Sequence, residues 1–497
     1  MTPPTPHPHL LATLTLGTTR RPVPEELSVW LDEHDVVDPT ADGPERLLAA
    51  YAVSERLHRL SPGGKGSVTP VVAPPEDWGT PGPRLARALE LILRDTYPAV
   101  LPEAVDLLLE KQTLVPPHLL PELLTIAEQR LDARPAFARK LLAAGGKRAL
   151  WLAGQNPEWA ELAPDYDLAA AWARDTTPGR RANLLRRWRM VDSVAAREAL
   201  AEVWPGQSPK NQETLLGSMA ENLSPADVPW LRAGLTPKRK GVRRAILRLL
   251  ILAGDEETIE DMIRLVTAAV DDQGKLTALL KPGPEYIELL QRYGGLKKGE
   301  SLAVFLLAHL PPGTLPELTD RPEEEFWASL NKEQLKAAAT ALHTFPAPAL
   351  RAHFIRFALR ANPANLPMME TAMICGELPQ EAFVSIFNEL LTTEQNALHY
   401  GGVARVLALS RKEIWSERLS KAFVLQLVST LREIGQLPYK LQRDLQEDWK
   451  GSIALLDPAI FGWLRTHLHS MTERADVFGK LATETLQTLA FRRVLRE

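Results

Sequence analysis

A single cysteine, Cys375, stands in 497 residues. One thiol excludes an internal disulfide, a cysteine-based zinc site and an iron–sulfur cluster, and it fits a reducing compartment. No apolar run approaches the ~18 to 20 residues that a helix needs to cross a bilayer, so no membrane association is expected. The opening Met1-Thr2-Pro3-Pro4-Thr5-Pro6-His7-Pro8-His9 lacks a basic stretch followed by an apolar one, so a secretory signal is not expected and a cytoplasmic location is. Alternating β-branched runs are almost absent, which argues against a sheet. What is present is ordinary globular composition: 45% hydrophobic, 24% charged, net charge −4. That excludes a disordered or collagen-like chain, and at ~150 residues per domain the length suggests about three domains.

Leu, Ala, Arg and Glu dominate, all good helix formers, and punctuation delimits the helices. Asp42-Gly43-Pro44-Glu45 opens a helix to about Leu60. Pro62 to Pro83 holds 6 Pro and 5 Gly in 22 residues and reads as an exposed linker. Helices are expected over 83–95, 98–111, 117–131 and 134–144. Farther on, Pro322-Glu323-Glu324-Glu325 reads as an acidic first turn. Ser410-Arg411-Lys412-Glu413 has capping-box spacing, and Phe478, Leu481, Thr485, Leu489 and Arg492 share one side of a last helix.

Between about 180 and 270 the helices repeat every 31 residues. Leu184, Leu215 and Ile246 fall in register, as do Leu185, Leu216 and Leu247, and Trp188, Met219 and Leu250. In the second helix of each unit Leu200, Leu231 and Met262 align, and so do Trp204, Leu235 and Val266. Positions i, i+1 and i+4 share one helical stripe, so each unit is a hairpin that must bury its apolar face on neighbours. The expected fold is all-α, with HEAT-like hairpin repeats stacked as an α-solenoid. Its expected divisions are an N-terminal helical segment (1–61), a linker (62–83), a helical-repeat domain (84–295) and a C-terminal helical domain (300–497). The last boundary rests on Gly294-Gly295-Leu296-Lys297-Lys298-Gly299.

Five segments carry a resemblance. They are Leu14-Thr15-Leu16-Gly17-Thr18-Thr19-Arg20-Arg21-Pro22, the run from Arg148 to Trp159 with its Trp-Leu-Ala-x-x-Asn-Pro-x-Trp core, Val242-Arg243-Arg244, Ile414-Trp415-Ser416-Glu417-Arg418-Leu419-Ser420, and Thr488-Leu489-Ala490-Phe491-Arg492. In this order, over nearly the whole chain, they resemble an uncharacterised bacterial family of helical-repeat proteins, a domain of unknown function. The resemblance implies a genomic setting beside a MoxR-type AAA+ ATPase, a VWA-domain protein and a SWIM zinc-finger protein. It brings no catalytic residues. Gly217 departs from the repeat, standing where Arg186 and Arg248 stand in the flanking units.

Chemical motifs are weak. Pro62-Gly63-Gly64-Lys65-Gly66-Ser67 and Gly145-Gly146-Lys147-Arg148 lack the spacing and the preceding strand of a phosphate loop and read as turns. The eleven histidines are scattered, and His467 and His469 point apart on a helix. Asp165-Tyr166-Asp167 starts like a calcium loop but has Thr176 where a bidentate Glu is needed, so it reads as a helix cap. Cys375, in an apolar run, reads as a small hydrophobe. No enzyme, metal or cofactor is expected.

Charge is uneven. Pro178 to Arg248 holds 14 Lys and Arg against 6 Asp and Glu, a balance of +8 that leaves −12 for the rest. Arg180, Arg181, Arg186, Arg187 and Arg189 form one group, and Lys238, Arg239, Lys240, Arg243, Arg244 and Arg248 another. Arg186 lies about 160° from its apolar stripe, as Arg248 does from its own, so the two can share a basic strip on a solenoid. Three readings compete for that strip: a face neutralised by acidic neighbours, a dock for an acidic protein, or a nucleic-acid contact with Trp188 or Trp204 stacking on bases. The expected function is a non-catalytic scaffold for protein partners, among them the MoxR-type ATPase and the VWA protein that the resemblance implies. Arg186, Arg187, Arg244 and Arg248 are the expected contacts, and a nucleic-acid-binding solenoid using 180–248 is the alternative.

Overall fold

A computed structural model describes residues 7–34, 36–38, 40–60, 72–235, 239–270, 276, 283–394, 396–432 and 438–496. Among the described residues every regular element is a helix; the β-type pairings are two isolated bridges, Gly79 with Thr113 and Val270 with Leu276. The all-α expectation holds. The chain divides into two units, Met1–Val72 and Ala73–Glu497. In the first, α1 (His7–Leu16), α2 (Glu25–Glu33) and α3 (Gly43–Leu60) surround a small core of Leu10, Leu27, Leu31, Leu47 and Ala50. The Glu45 amide donates to Asp42 Oδ1 at 2.9 Å, so the Asp-Gly-Pro-Glu punctuation opens α3 as a side-chain cap. Residues 62–71 of the Pro/Gly-rich stretch, including Pro62 to Ser67, lie outside the described residues.

The second unit begins with a non-helical strap, 73–82, then α4 (Pro83–Leu93), α5 (Leu101–Glu110), α6 (Leu120–Arg130) and α7 (Pro135–Gln155). Each of these helices has proline in its first turn, where the missing N–H goes unused. The helix expected to end at 144 runs on to Gln155 with a break at Gly146, where φ is 71° and ψ −164°. Helix resumes because Glu76, from the strap, does what an N-cap would do locally. Its carboxylate accepts from the Lys147 amide (2.9 Å) and the Arg148 amide (2.6 Å). These helices, with Leu162 and Leu495, form one apolar cluster. The next helix, α8 (Leu168–Arg174), is capped by Asp167, whose Oδ1 accepts from Ala170 N at 2.8 Å.

The 31-residue register falls on α9 (Pro178–Val191), α10 (Ser193–Val203), α11 (Pro209–Ser218), α12 (Val228–Ala233), α13 (Lys240–Leu252) and α14 (Glu256–Ala269). The aligned positions point inward. Leu184, Leu215 and Ile246 are buried, as are Leu185, Leu216 and Leu247, Leu200, Leu231 and Met262, and Leu235 and Val266. Each such side chain contributes about 1.5–3 kcal/mol by leaving water. Trp188 and Trp204 are half-buried against the same core, and Trp204 meets Trp230 edge to face at 5.3 Å.

The chain continues through α15 (Pro284–Arg292), α16 (Leu302–His309), α17 (Thr314–Leu318), α18 (Glu323–Ser329), α19 (Lys332–Thr344), α20 (Pro348–Arg360) and α21 (Met368–Gly376). Then come α22 (Gln380–Thr393), α23 (Val403–Leu409), α24 (Glu417–Arg432), α25 (Tyr439–Ile453), α26 (Phe461–Thr472) and α27 (Val477–Arg496). Apolar packing runs unbroken from Trp172 to Leu489, so the glycine-rich stretch at 294–299 lies within one core. The capping-box reading at Ser410 is corrected: Ser410 Oγ donates to Leu407 O at 2.7 Å, and the following helix starts at Glu417, with Ser416 Oγ accepting from Leu419 N. Arg411 turns inward there, which holds 411–416 out of helical conformation.

Contacts between elements follow a regular sequence. Helix α9 packs on α10 and α11, α11 on α13, α13 on α14 and α16, and α16 on α19; α19, α21, α23, α25 and α27 then follow one another. Alongside, α18 packs on α20, α20 on α22 and α22 on α24. Helix α27 also packs on α4. Phe491 stacks on Tyr97 with ring centroids 4.3 Å apart. Arg492 and Arg496 pair with Glu103 at 2.5 and 2.8 Å.

Candidate functional site

The cation-rich stretch from α9 to α13 is the feature that the sequence singled out, and the structure shows how its charges are used. Arg187 is half-buried: Nη1 donates to Glu161 Oε2 at 2.8 Å, Nη2 to the Glu161 carbonyl at 2.6 Å, and its guanidinium lies over Tyr166. Burial pulls its pKa below the usual guanidinium value, with Asp132 opposing. Arg244 is buried, pairs with Glu300 (3.0 Å to Oε1), donates to Gly295 O and lies over the Phe305 ring. Arg186 is half-exposed and donates to Asn183 at 3.1 Å, one turn back on its own helix. Arg248 is exposed. Of the four expected contacts, Arg186 and Arg248 face solvent, whereas Arg187 and Arg244 hold neighbouring elements together.

Four of the other cations in the stretch are neutralised by carboxylates. Arg180 pairs with Asp132, Asp175 and Glu161; Arg189 and Arg197 share Asp227; Arg232 pairs with Asp255 and Glu257. Arg243 donates to the Gln291 carbonyl, and Lys238 lies outside the described residues. Asp227, Asp255 and Glu300 are each held below the usual carboxylate range: burial works against their charge, and the arginine hydrogen bonds outweigh it.

A recurring device explains this use of arginine. Helix ends leave carbonyls without partners, and a guanidinium with five donors can serve several at once. Arg189, on α9, donates to Glu221 O (2.7 Å) and Asn222 O (3.0 Å) beyond the end of α11. Arg351 donates to Leu342 O, His343 O and Phe345 O at the end of α19. Arg411 donates to Cys375 O, Gly376 O and Leu378 O at the end of α21, over the Phe383 ring. Arg492 donates to Ile453 O and Leu456 O at the end of α25. A cation suits the negative end of the helix dipole. The sequence carried a signal for this in Arg492 on the apolar side of the last helix.

Among the described residues no group of three His, Cys, Asp or Glu could hold a metal ion. Cys375 is buried, and burial raises its pKa to about 12. Trp188 and Trp204 pack against the core. No helix of the described residues is long and apolar enough to cross a membrane.

The solvent-facing surface of α18, α20 and α22 is different in kind. A groove of about 460 Å³ lies between α18 and α20 over Trp327, Leu330, Leu335 and Leu366, with Glu324 and Glu325 on its rim. A second, of about 280 Å³, lies between α20 and α22 over Leu359, Ile386 and Leu390, beside Glu389 and Glu394. Arg360 stands between them, 3.3 Å from Glu324 and 3.3 Å from Glu389.

No curated protein and no solved structure matches the chain. A family model does, over residues 9–497, and the chain therefore belongs to the family of unknown function DUF5691.

Proposed function

We propose that this protein is a non-catalytic scaffold, an α-solenoid of HEAT-like hairpins that presents a long, preorganised surface to protein partners in the cytoplasm. The observation that carries the reading is the serial packing from α9 to α27, with the aligned apolar positions of the 31-residue register turned inward. Hairpins that bury their stripes on successive neighbours leave an extended outer surface whose side chains are already ordered, which lowers the entropy cost of docking. The partners proposed are a MoxR-type AAA+ ATPase and a VWA-domain protein, the neighbours implied by the family resemblance.

Affinity purification of the chain from its native cell, with mass spectrometry of what it retains, tests the reading. Retention of the ATPase supports it; a bait that retains no protein partner overturns it. Arg186 and Arg248 keep their place as candidate contacts because they face solvent. The double change Arg186→Glu with Arg248→Glu then loosens the ATPase, and Gly217→Arg, at a position with open space around it, tightens it. The nucleic-acid reading is weakened by the internal carboxylate pairing of Arg180, Arg187, Arg189, Arg197, Arg232 and Arg244. It requires duplex binding that falls by roughly 0.9 in log K per phosphate contact for each decade of salt, and a blank gel shift at low salt removes it.

A further inference from the structure

Part of the acidic balance outside the basic stretch pairs with its arginines, and another part lines the rims of two grooves with apolar floors. Along the rims of the two grooves beside α20, Glu324, Glu325, Glu389 and Glu394 outnumber Arg356 and Arg360. Both arginines are already engaged: Arg356 pairs with Glu389 at 3.2 Å, and Arg360 is shared between Glu324 and Glu389. Glu325 and Glu394 are exposed and make no side-chain ion pair among the described residues. Each groove thus joins an apolar floor to a carboxylate that has no ion-pair partner among the described residues.

We propose that the paired grooves flanking α20 dock a basic amphipathic helix from a protein partner; this deepens the scaffold reading and rests on it. The spacing selects the occupant. One helix, α20, separates the grooves, so their floors lie about one helix diameter, ~10 Å, apart. Two turns of helix, i to i+7, advance about 10.5 Å, so a helix laid across α20 sets one apolar anchor into each groove. Lysines or arginines beside those anchors reach Glu325 at one end and Glu394 at the other. Arg360 sits under the middle of such a helix and disfavours a basic residue there, which makes the charge pattern selective rather than merely attractive.

The test uses the full-length protein and a fluorescein-labelled peptide of about 16 residues, leucines in i, i+3/i+4, i+7 register and lysines elsewhere, read by fluorescence anisotropy. The expected result is saturable binding that weakens as salt is raised. Glu325→Lys with Glu394→Lys weakens it about tenfold, and so does Ala328→Trp, which fills the first groove without changing charge. A scrambled peptide of the same composition binds at least about tenfold less tightly. Equal binding of the scrambled peptide, or two variants that bind like wild type, overturns the proposal. Native capture separates it from the scaffold reading. Partners retained equally by wild type and both variants sink the grooves alone, whereas a wild-type bait that captures nothing sinks the scaffold, whatever the peptide does.

Discussion

Two glycines of α7 should respond to alanine with opposite signs. At Gly146 the backbone sits at φ 71° and ψ −164°, a region essentially reserved for glycine, and forcing alanine there costs about 1–3 kcal/mol. A Cβ would also stand 2.6 Å from Glu76 Oε2 and 2.8 Å from Leu114 Cδ1. Moving Glu76 aside breaks its two charge-assisted bonds to the Lys147 and Arg148 amides, worth a further ~1.5–3 kcal/mol. Gly146→Ala should therefore destabilise by about 2.5–6 kcal/mol. Gly154, on the same helix, has nothing within 4 Å of its would-be Cβ. There alanine only restricts the unfolded chain, and stability should rise by about 0.5–1 kcal/mol. Urea unfolding of both variants, with equal slopes, reads the difference. In a Glu76→Ala background the Gly146→Ala cost should shrink towards the backbone term alone. A Gly146→Ala variant within about 1 kcal/mol of wild type would refute the claim that the break in α7 is held by the strap carboxylate.

Three further outcomes are expected. Arg492→Met should cost about 3–5 kcal/mol in chemical denaturation, because it leaves the Glu103 carboxylate short of a partner and the Ile453 and Leu456 carbonyls unmet. His309 is buried, which pushes its pKa down from 6.5 to about 4, with Arg244 and Arg248 adding to the shift. Between those values the unfolded chain takes up a proton that the folded chain refuses. Stability should thus rise with pH across that window, by a total of about 3 kcal/mol, and His309→Leu should flatten the slope of urea midpoint against pH. Cys375, with its thiol raised to about 12 by burial, should resist a thiol reagent in the native protein and react at once in denaturant.

Periodic apolar positions were legible because burial follows helical geometry directly: the columns through Leu184, Leu200 and their equivalents needed only the 3.6-residue turn. The starts of α3 and α18 were legible for a similar reason, since Asp42 and Glu323 to Glu325 act within one turn of themselves. What escaped was every arrangement in which a side chain serves a distant piece of backbone. Glu76 caps helix at Lys147, and Arg411 draws 411–416 away from the helix that Ser410 and Glu413 spell locally. Arg187 and Arg244 looked like surface cations because helical phase alone cannot tell a solvated face from one that meets the next hairpin. The grooves beside α20 likewise depend on how far apart α18, α20 and α22 settle, which no local pattern encodes.

The bond between Glu103 and the last turn of α27 bears on how the second unit melts. In an open stack of hairpins the terminal ones have a neighbour on one side only, so they fray first and unfolding spreads inward by degrees. Here α27 leans on α4 and its last turn is tied to Glu103 of α5, so both terminal parts of the unit gain a second neighbour. With that tie in place fraying from either end is opposed, and heat or urea should unfold the second unit more sharply than it unfolds a Glu103→Ala variant.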